Sequence, residues 1–182
     1  AAIVAHSSAL KLKSLGKDPD FFSLLHFVEE NAKQIYDGTR DFIWSIDVKS
    51  NNLKEVTFYV KDFGERLFAH SDISFFVTHN LVDTKGILNL SDGYGRHLLL
   101  FCKEALTNAF KHSGAKNVWL KVFHDNRDMY VSIEDDGKGL TQANPRGNGL
   151  RNMKRRAIKI GGQIHIGPRK PMGTIVELTF QL

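Results

Sequence analysis

Two stretches of alternating apolar residues, joined by a short polar turn, constrain the fold of this chain more than any other feature. The turn occupies residues 125–128, whose sequence Asp-Asn-Arg-Asp favours a change of chain direction. Side chains of a strand alternate between the two faces of a sheet, so the pattern predicts a β-hairpin with one buried face. Its apolar positions are Val118, Leu120 and Val122 before the turn, and Met129, Val131 and Ile133 after it.

Helical periodicity surrounds this hairpin. One helix is predicted to begin at residues 50–52, another to span roughly 92–112, and a third to end at Gly161–Gly162. Their buried positions are Leu53, Val56, Val60, Phe63 and Leu67, then Leu98, Phe101, Ala105 and Ala109, then Leu150, Met153, Ala157 and Ile160. Further strands are expected near residues 73–77, 163–167 and 174–181. Helices grouped against a mostly antiparallel sheet define an α+β fold, a two-layer sandwich.

A longer helical pattern precedes this domain. Asp18 is placed to cap a helix whose first position is Pro19. Residues then recur at steps of four and three, with a second apolar line beside them: Phe21, Leu25, Val28, Ala32, Ile35, Thr39, Phe42 and Ile46, and Phe22, Tyr36 and Ile43. Residues 1–46 are therefore predicted to form a helical hairpin, separate from a domain over 47–182, and a four-helix homodimer would cover both lines. A hairpin packed only on its own domain is the alternative.

Composition narrows the functional classes. The chain has 42% hydrophobic and 25% charged residues, which is typical of a soluble globular protein, and no stretch approaches the ~18 apolar residues of a membrane span. Cys102 is the only cysteine, so no disulfide framework is expected and a buried helix position is predicted for it. The net charge of +5 is modest and no nucleic-acid-reading motif is visible, so direct nucleic-acid binding is not expected.

Glu104, Asn108 and Lys111 are spaced four and three residues apart, which places them on one face of an α-helix. Mg²⁺ prefers oxygen ligands and is typically held by one or two protein groups together with phosphate oxygens. Asn108 can supply a carbonyl oxygen, Lys111 can meet a phosphate, and Glu104 can orient a water molecule or a neighbouring donor. Taken alone, the stripe is also compatible with an ordinary exposed helix face.

An acidic strand end follows the hairpin. Asp135 and Asp136 end the predicted strand, and Gly137 and Gly139 come next. A carboxylate only accepts hydrogen bonds, so it would favour the amine of adenine over the carbonyl of guanine. The glycines would let the backbone lie close to the ring. A simple acidic turn is the alternative.

Gly147 and Gly149 come just before the helix that ends at residue 160. The free N–H groups of a helix N-terminus bind phosphate readily, and residues 140–146 would form a short lid. A plain glycine-rich loop is the alternative for this cluster by itself.

All three clusters in this order favour a pocket for a magnesium nucleotide. No P-loop sequence is present, and the eight histidines show no metal-ligand spacing.

Residues 103–115, 135–139 and 147–150 resemble the N, G1 and G2 boxes of the gyrase–chaperone–histidine kinase–MutL ATP-binding superfamily. The first of these segments is similar in style to sensor histidine kinases that signal to LuxR-like response regulators. Residues 41–46 resemble the end of the second dimerisation helix of that branch, and residues 173–176 resemble the strand whose threonine supports the adenine-binding aspartate. The resemblance implies a Bergerat-type α/β sandwich behind a dimerisation hairpin.

The same resemblance implies ATP and Mg²⁺ as cofactors. It assigns Asn108 to the metal, Asp135 to adenine, Lys111 or His112 to phosphates, and Thr174 to the support of Asp135. Glu104, Asn108 and Lys111 would carry the catalytic step. The pocket and lid residues would be Gly137, Gly139, Gly147, Gly149 and Leu150.

The family's phosphoacceptor pattern, an Asp-Leu-His-Asp run, is absent from this sequence, and His6 has no adjacent carboxylate. We therefore expect the acceptor histidine to lie upstream of residue 1 and the chain to be the cytoplasmic catalytic part of a larger bacterial sensor, without membrane contact of its own. Its γ-phosphoryl group would pass to that histidine and then to a response regulator. An anti-sigma-factor-type serine kinase and a non-catalytic ATP-binding module are the alternatives.

Overall fold

A computed structural model of the chain describes residues 19–45, 51–81, 88–125, 127–139 and 149–182. The chain divides into two units, residues 1–46 and 47–182. The first contains helix α1, Pro19–Ser45, which begins at the proline that the sequence places at the first helical position. The expectations for residues 1–13, Asp18 and Ile46 lie outside the described residues.

Helix α1 carries many exposed apolar side chains. Val28 and Ile35 belong to one predicted apolar line, and Tyr36 and Ile43 belong to the other. Among the α1 side chains that the structure describes, the large exposed ones are Leu24, Phe27, Val28, Ile35, Tyr36 and Ile43. An apolar face of this kind on a long helix is suited to packing against another helix. None of the helices within the described ranges is long and apolar enough to span a membrane.

The second unit contains three α-helices and five strands in its described residues. In chain order these are α2 Leu53–Phe68, β1 Ser74–His79, α3 Tyr94–Asn108, β2 Asn117–Asp125, β3 Asp128–Asp135, α4 Gly149–Lys159, β4 Gln163–Pro168 and β5 Thr174–Gln181. The sheet order is β1-β2-β3-β5-β4, with β1 parallel to β2 and all other pairs antiparallel. The prediction of an α+β fold with a mostly antiparallel sheet is confirmed.

The predicted hairpin forms from β2 and β3, with Leu120 opposite Ile133 and Val122 opposite Val131. Its alternating apolar side chains are buried, because the three helices cover that face, with α3 between α2 and α4. The same layer buries Leu98, Phe101, Cys102, Ala105 and Ala109 of the central helical segment. The predicted burial of that segment is therefore confirmed.

Helix α2 begins where the sequence indicates, because the side chain of Asn52 accepts hydrogen bonds from the backbone of Lys54 and Glu55. Its predicted buried face is wrong at two positions, since Phe63 and Leu67 are only half-buried. A Cβ atom on Gly64 would lie 2.4 Å from the ring of Phe75, so the close approach to β1 occurs at the glycine.

Past Gly64 the buried face of α2 continues through Phe68, whose ring stacks on Phe75 with centroids 5.3 Å apart. Leu150 of α4 is likewise half-buried rather than buried, while Met153, Ala157 and Ile160 are buried as predicted. Leu150 lies in the first turn of α4, next to the helix end.

The predicted helix over 92–112 is correct in extent but not in type. Regular α-helix ends at Asn108, and Ala109–Ser113 form a π turn that stops at Gly114, whose φ is +62°. A π turn has hydrogen bonds from residue i to i+5 and is frequent at functional sites. Residues beyond Asn108 therefore do not follow α-helical spacing.

Candidate functional site

Asp135 lies at the end of β3 with only 6% of its surface exposed. Its Oδ1 atom accepts hydrogen bonds from the backbone N–H of Gly137 at 2.9 Å and of Thr174 at 3.3 Å. Thr174 is also the residue opposite Asp135 in the β3–β5 pairing. Donors from two segments thus hold the carboxylate in one orientation. The adenine role stays a prediction.

The segment beside Asp135 requires glycine. Gly173 has φ +112°, and a Cβ atom there would lie 1.7 Å from the carbonyl oxygen of Asp135. Gly139 has φ +78°, a conformation that L side chains rarely adopt. On Gly137 a Cβ atom would lie 2.3 Å from the carbonyl oxygen of Ser113. Gly137, which was predicted for the pocket, and Gly173, which was not, therefore allow two close backbone approaches beside this carboxylate, and the backbone conformation of Gly139 favours glycine.

The side chains of Glu104 and Asn108, which belong to α3, lie next to the N-terminal end of α4. A Cβ atom on Gly149 would fall 2.2 Å from Oε1 of Glu104 and 3.5 Å from Nδ2 of Asn108. The first and third sequence clusters therefore meet at Gly149. A carboxylate and a carboxamide side chain beside a helix N-terminus suit a magnesium ion whose other ligands are phosphate oxygens.

Lys111 and His112 are exposed and belong to the π turn. The prediction that Lys111 shares a helical face with Glu104 and Asn108 assumed α-helical spacing, which applies only to the last two. Gly147 and the predicted lid over residues 140–146 lie outside the described residues.

The neighbouring carboxylate, Asp136, has a different surrounding. It accepts hydrogen bonds from the backbone N–H of Lys116 and Asn117, both at 2.8 Å, and from Nδ2 of Asn117 at 2.7 Å. Desolvation raises the pKa of Asp136, but these hydrogen bonds outweigh it, and the pKa lies below its ordinary value. Asp136 therefore joins the end of β3 to the start of β2.

An ion cluster on the sheet supports the turn behind Asp135. Glu134 accepts hydrogen bonds from Lys121 Nζ at 2.6 Å and from Arg169 Nε at 3.0 Å. The backbone N–H of Arg169 in turn donates to the carbonyl oxygen of Gly173 at 3.0 Å. Burial raises the pKa of Glu134, but the two cations outweigh it and the pKa lies below its ordinary value.

No site role was predicted for Glu134, Arg169 or Ser113, because the contacts that connect them to the site, such as Arg169 to Glu134 and Lys138 to Ser113, join distant parts of the chain. Cys102 is buried as predicted, and burial raises the pKa of its thiol to about 12, so it is no nucleophile. In the described parts of the chain, no group of three or more His, Cys, Asp or Glu side chains is placed to bind a metal.

A family model described as "Histidine kinase-, DNA gyrase B-, and HSP90-like ATPase" matches residues 93–182. These residues make up just under half of the chain, and they are similar to that ATPase family. The matched range includes α3, the π turn and every described residue of the candidate site.

The chain also matches relatives that are named sensor proteins. Sensor protein VraS of Staphylococcus aureus (strain COL) is 31% identical over 104 residues, which cover 56% of this chain and 29% of the relative. VraS of Staphylococcus epidermidis is 30% identical over 104 residues, which again cover 56% of this chain and 29% of the relative. The match thus covers under a third of the length of these relatives.

Two solved structures show the same fold at 15% sequence identity and a TM-score of 0.62. They are a histidine kinase domain from Erythrobacter litoralis EL346 blue-light activated histidine kinase and Acinetobacter baumannii histidine kinase AdeS. The similarity covers 100% and 99% of this chain, and 93% of each of those chains.

Proposed function

We propose that this chain is the ATP-binding catalytic portion of a sensor histidine kinase. The observation that carries the proposal is the meeting of Glu104 and Asn108 at Gly149, within a matched ATPase domain. The family match supports ATP binding, and the relatives are named sensor proteins. No comparison described above supports the serine-kinase or non-catalytic alternatives.

Each site residue has a proposed task. Asp135 accepts a hydrogen bond from the amine of adenine, with Thr174 holding the carboxylate from behind. Asn108 provides an oxygen ligand for Mg²⁺, and Glu104 orients a water molecule or donor beside it. Lys111 or His112, and the N-terminus of α4 with Gly147 and Gly149, meet the phosphates. When bound, Mg²⁺ neutralises phosphate charge.

The whole sensor would carry out two transfers. A histidine nitrogen attacks the γ-phosphorus, the bond to the bridging oxygen breaks, and ADP leaves. The phosphoryl group then passes to a carboxylate of a response regulator, for which the resemblance suggests the LuxR-like type. The domain contributes mainly positioning and charge neutralisation.

A homodimer through the helical hairpin of residues 1–46 is part of the proposal. The exposed apolar side chains of α1 support it, since a second copy would bury them. Sedimentation of residues 1–182 and of residues 47–182 tests this point. If both sediment as monomers, the homodimer is contradicted.

Calorimetric titration with a non-hydrolysable ATP analogue and Mg²⁺ tests the nucleotide site. We expect wild type to bind the adenine analogue and not its guanine counterpart. Asp135→Asn should nearly abolish binding, and Asn108→Ala should remove the metal-dependent part of the affinity. Equal binding of the guanine analogue, or indifference to both substitutions, would contradict the proposal.

A further inference from the structure

Ser113 joins the part of the site that carries Asn108 to the part that carries Asp135. It ends the π turn, and only 6% of its surface is exposed. Its hydroxyl donates to the carbonyl oxygen of Ala109 at 2.5 Å and accepts from the N–H of Ala115 at 2.9 Å. One side chain therefore bonds the backbone at both ends of the turn.

The backbone of Ser113 supports the loop that follows β3. Its carbonyl oxygen accepts from the N–H of Lys138 at 2.9 Å, and the absent side chain of Gly137 lets the two backbones touch. The N–H of Gly137 donates to Oδ1 of Asp135 at 2.9 Å. A shift of the Ser113 carbonyl would therefore reach the Asp135 carboxylate through one loop residue.

The direction of this carbonyl depends on the π turn. A regular α-helical continuation of α3 would change the rotation of every residue after Asn108, and with it the carbonyl that faces Gly137. Gly114, at φ +62°, ends the turn directly after Ser113. The hydroxyl bond to Ala115 spans that end, so the serine side chain stabilises the observed geometry.

We propose that Ser113 is a positioning residue for purine recognition. Its hydroxyl keeps the π turn in the geometry in which the Ser113 carbonyl supports the Gly137 loop, and the loop in turn orients the Asp135 carboxylate. The inference rests on the proposed function and concerns how the adenine half of the site is held.

Thr57 offers a matched control. It is also a buried helical hydroxyl, 6% exposed, and its Oγ1 donates to the carbonyl oxygen of Leu53 at 2.8 Å, four residues earlier. It belongs to α2, and this hydrogen bond lies within that helix. Thr57→Ala therefore removes a similar buried hydrogen bond without changing the link to Asp135.

The experiment compares wild type, Ser113→Ala, Ser113→Thr and Thr57→Ala by calorimetric and NMR titration with Mg-ADP and with Mg-tripolyphosphate. We expect Ser113→Ala to weaken Mg-ADP binding by about tenfold and to leave tripolyphosphate binding unchanged. Ser113→Thr should restore the Mg-ADP affinity, because it keeps the hydroxyl. Thr57→Ala should lower the melting temperature without changing either affinity.

Gly137→Ala is a second variant for the case in which Ser113→Ala does not fold. It leaves the serine intact but forces the loop away from the Ser113 carbonyl, so we expect the same selective loss of Mg-ADP affinity. If the folded variant loses affinity for both ligands in the same proportion, or loses affinity for neither, the inference is overturned. Failure of wild type to bind Mg-ADP would instead overturn the proposed function, so the two failures are distinguishable.

Discussion

The carboxylate of Glu104 lies against the backbone of Gly149 and fills the space that a side chain at residue 149 would occupy. A Cβ atom on Gly149 would lie 2.2 Å from Oε1 of Glu104. The contact brings a helix carboxylate to the first residue of α4. It also makes glycine at this position a requirement of the site, whereas helix propensity alone would favour alanine.

Gly149→Ala should therefore impair the metal side of the site. The added methyl group displaces the flexible end of Glu104, so the domain should stay folded while the gain in ADP affinity on adding Mg²⁺ falls by about tenfold. Titration with and without Mg²⁺ measures this gain. Gly38→Ala in α1 is the control, because its Cβ would meet nothing within 4 Å; a full metal-dependent gain in Gly149→Ala would contradict the prediction.

The Glu134 cluster should make stability depend on acid pH. Its folded-state pKa lies below the ordinary value of 4.5, so its contribution is fully present above that value and is lost as the pH falls through the folded-state pKa. We expect Glu134→Gln to lower the free energy of unfolding at pH 7 by about 1–3 kcal/mol. The difference from wild type should shrink towards pH ~3.

Urea unfolding at several pH values measures this dependence. Glu65→Gln is the matched control, since the ion pair of Lys61 and Glu65 is exposed and 3.6 Å long. It should change the free energy of unfolding by no more than about 0.5 kcal/mol. A pH-independent difference for Glu134→Gln would show that the carboxylate charge is not what stabilises the cluster.

Substitutions at the adjacent residues Asp135 and Asp136 should change different properties, namely nucleotide affinity at Asp135 and stability at Asp136. Asp136→Asn replaces an acceptor of three hydrogen bonds by a group that also donates, so the free energy of unfolding should fall by about 1–3 kcal/mol. Mg-ADP affinity should remain. Asp135→Asn should instead weaken Mg-ADP binding and leave the free energy of unfolding nearly unchanged, because the Oδ1 atom of asparagine can still accept hydrogen bonds from the N–H groups of Gly137 and Thr174. Denaturation and titration of both variants are decisive, and the opposite pattern would refute the assignment.

Cys102 should be inert in the folded protein. Burial raises the pKa of its thiol to about 12, so almost no thiolate exists at pH 8. We expect alkylation by iodoacetamide to be slow in the native state and to become rapid in denaturant, as followed by mass spectrometry. Rapid native labelling would mean that the helical layer opens at Cys102.

The sequence by itself determined the α-helices and strands in the described part of the second unit, and it predicted three clusters of site residues. The hairpin, the Asn52 cap and the buried positions of α3 follow from local periodicity and capping chemistry, so they could be predicted without any long-range contact. Phe63 and Leu67 show where this reasoning fails, because the close approach of Gly64 to Phe75 decided which side of α2 is buried.

Only the tertiary structure decided how the clusters meet. The π turn at 109–113 has a residue pattern that α-helix would also allow, and Gly114, the Ser113 hydroxyl and the contact with Gly137 select between them. The pairs Glu104–Gly149 and Glu134–Arg169 join residues far apart in the chain. Local sequence records propensity, but such contacts depend on how the layers pack, and that is fixed only when the whole domain folds.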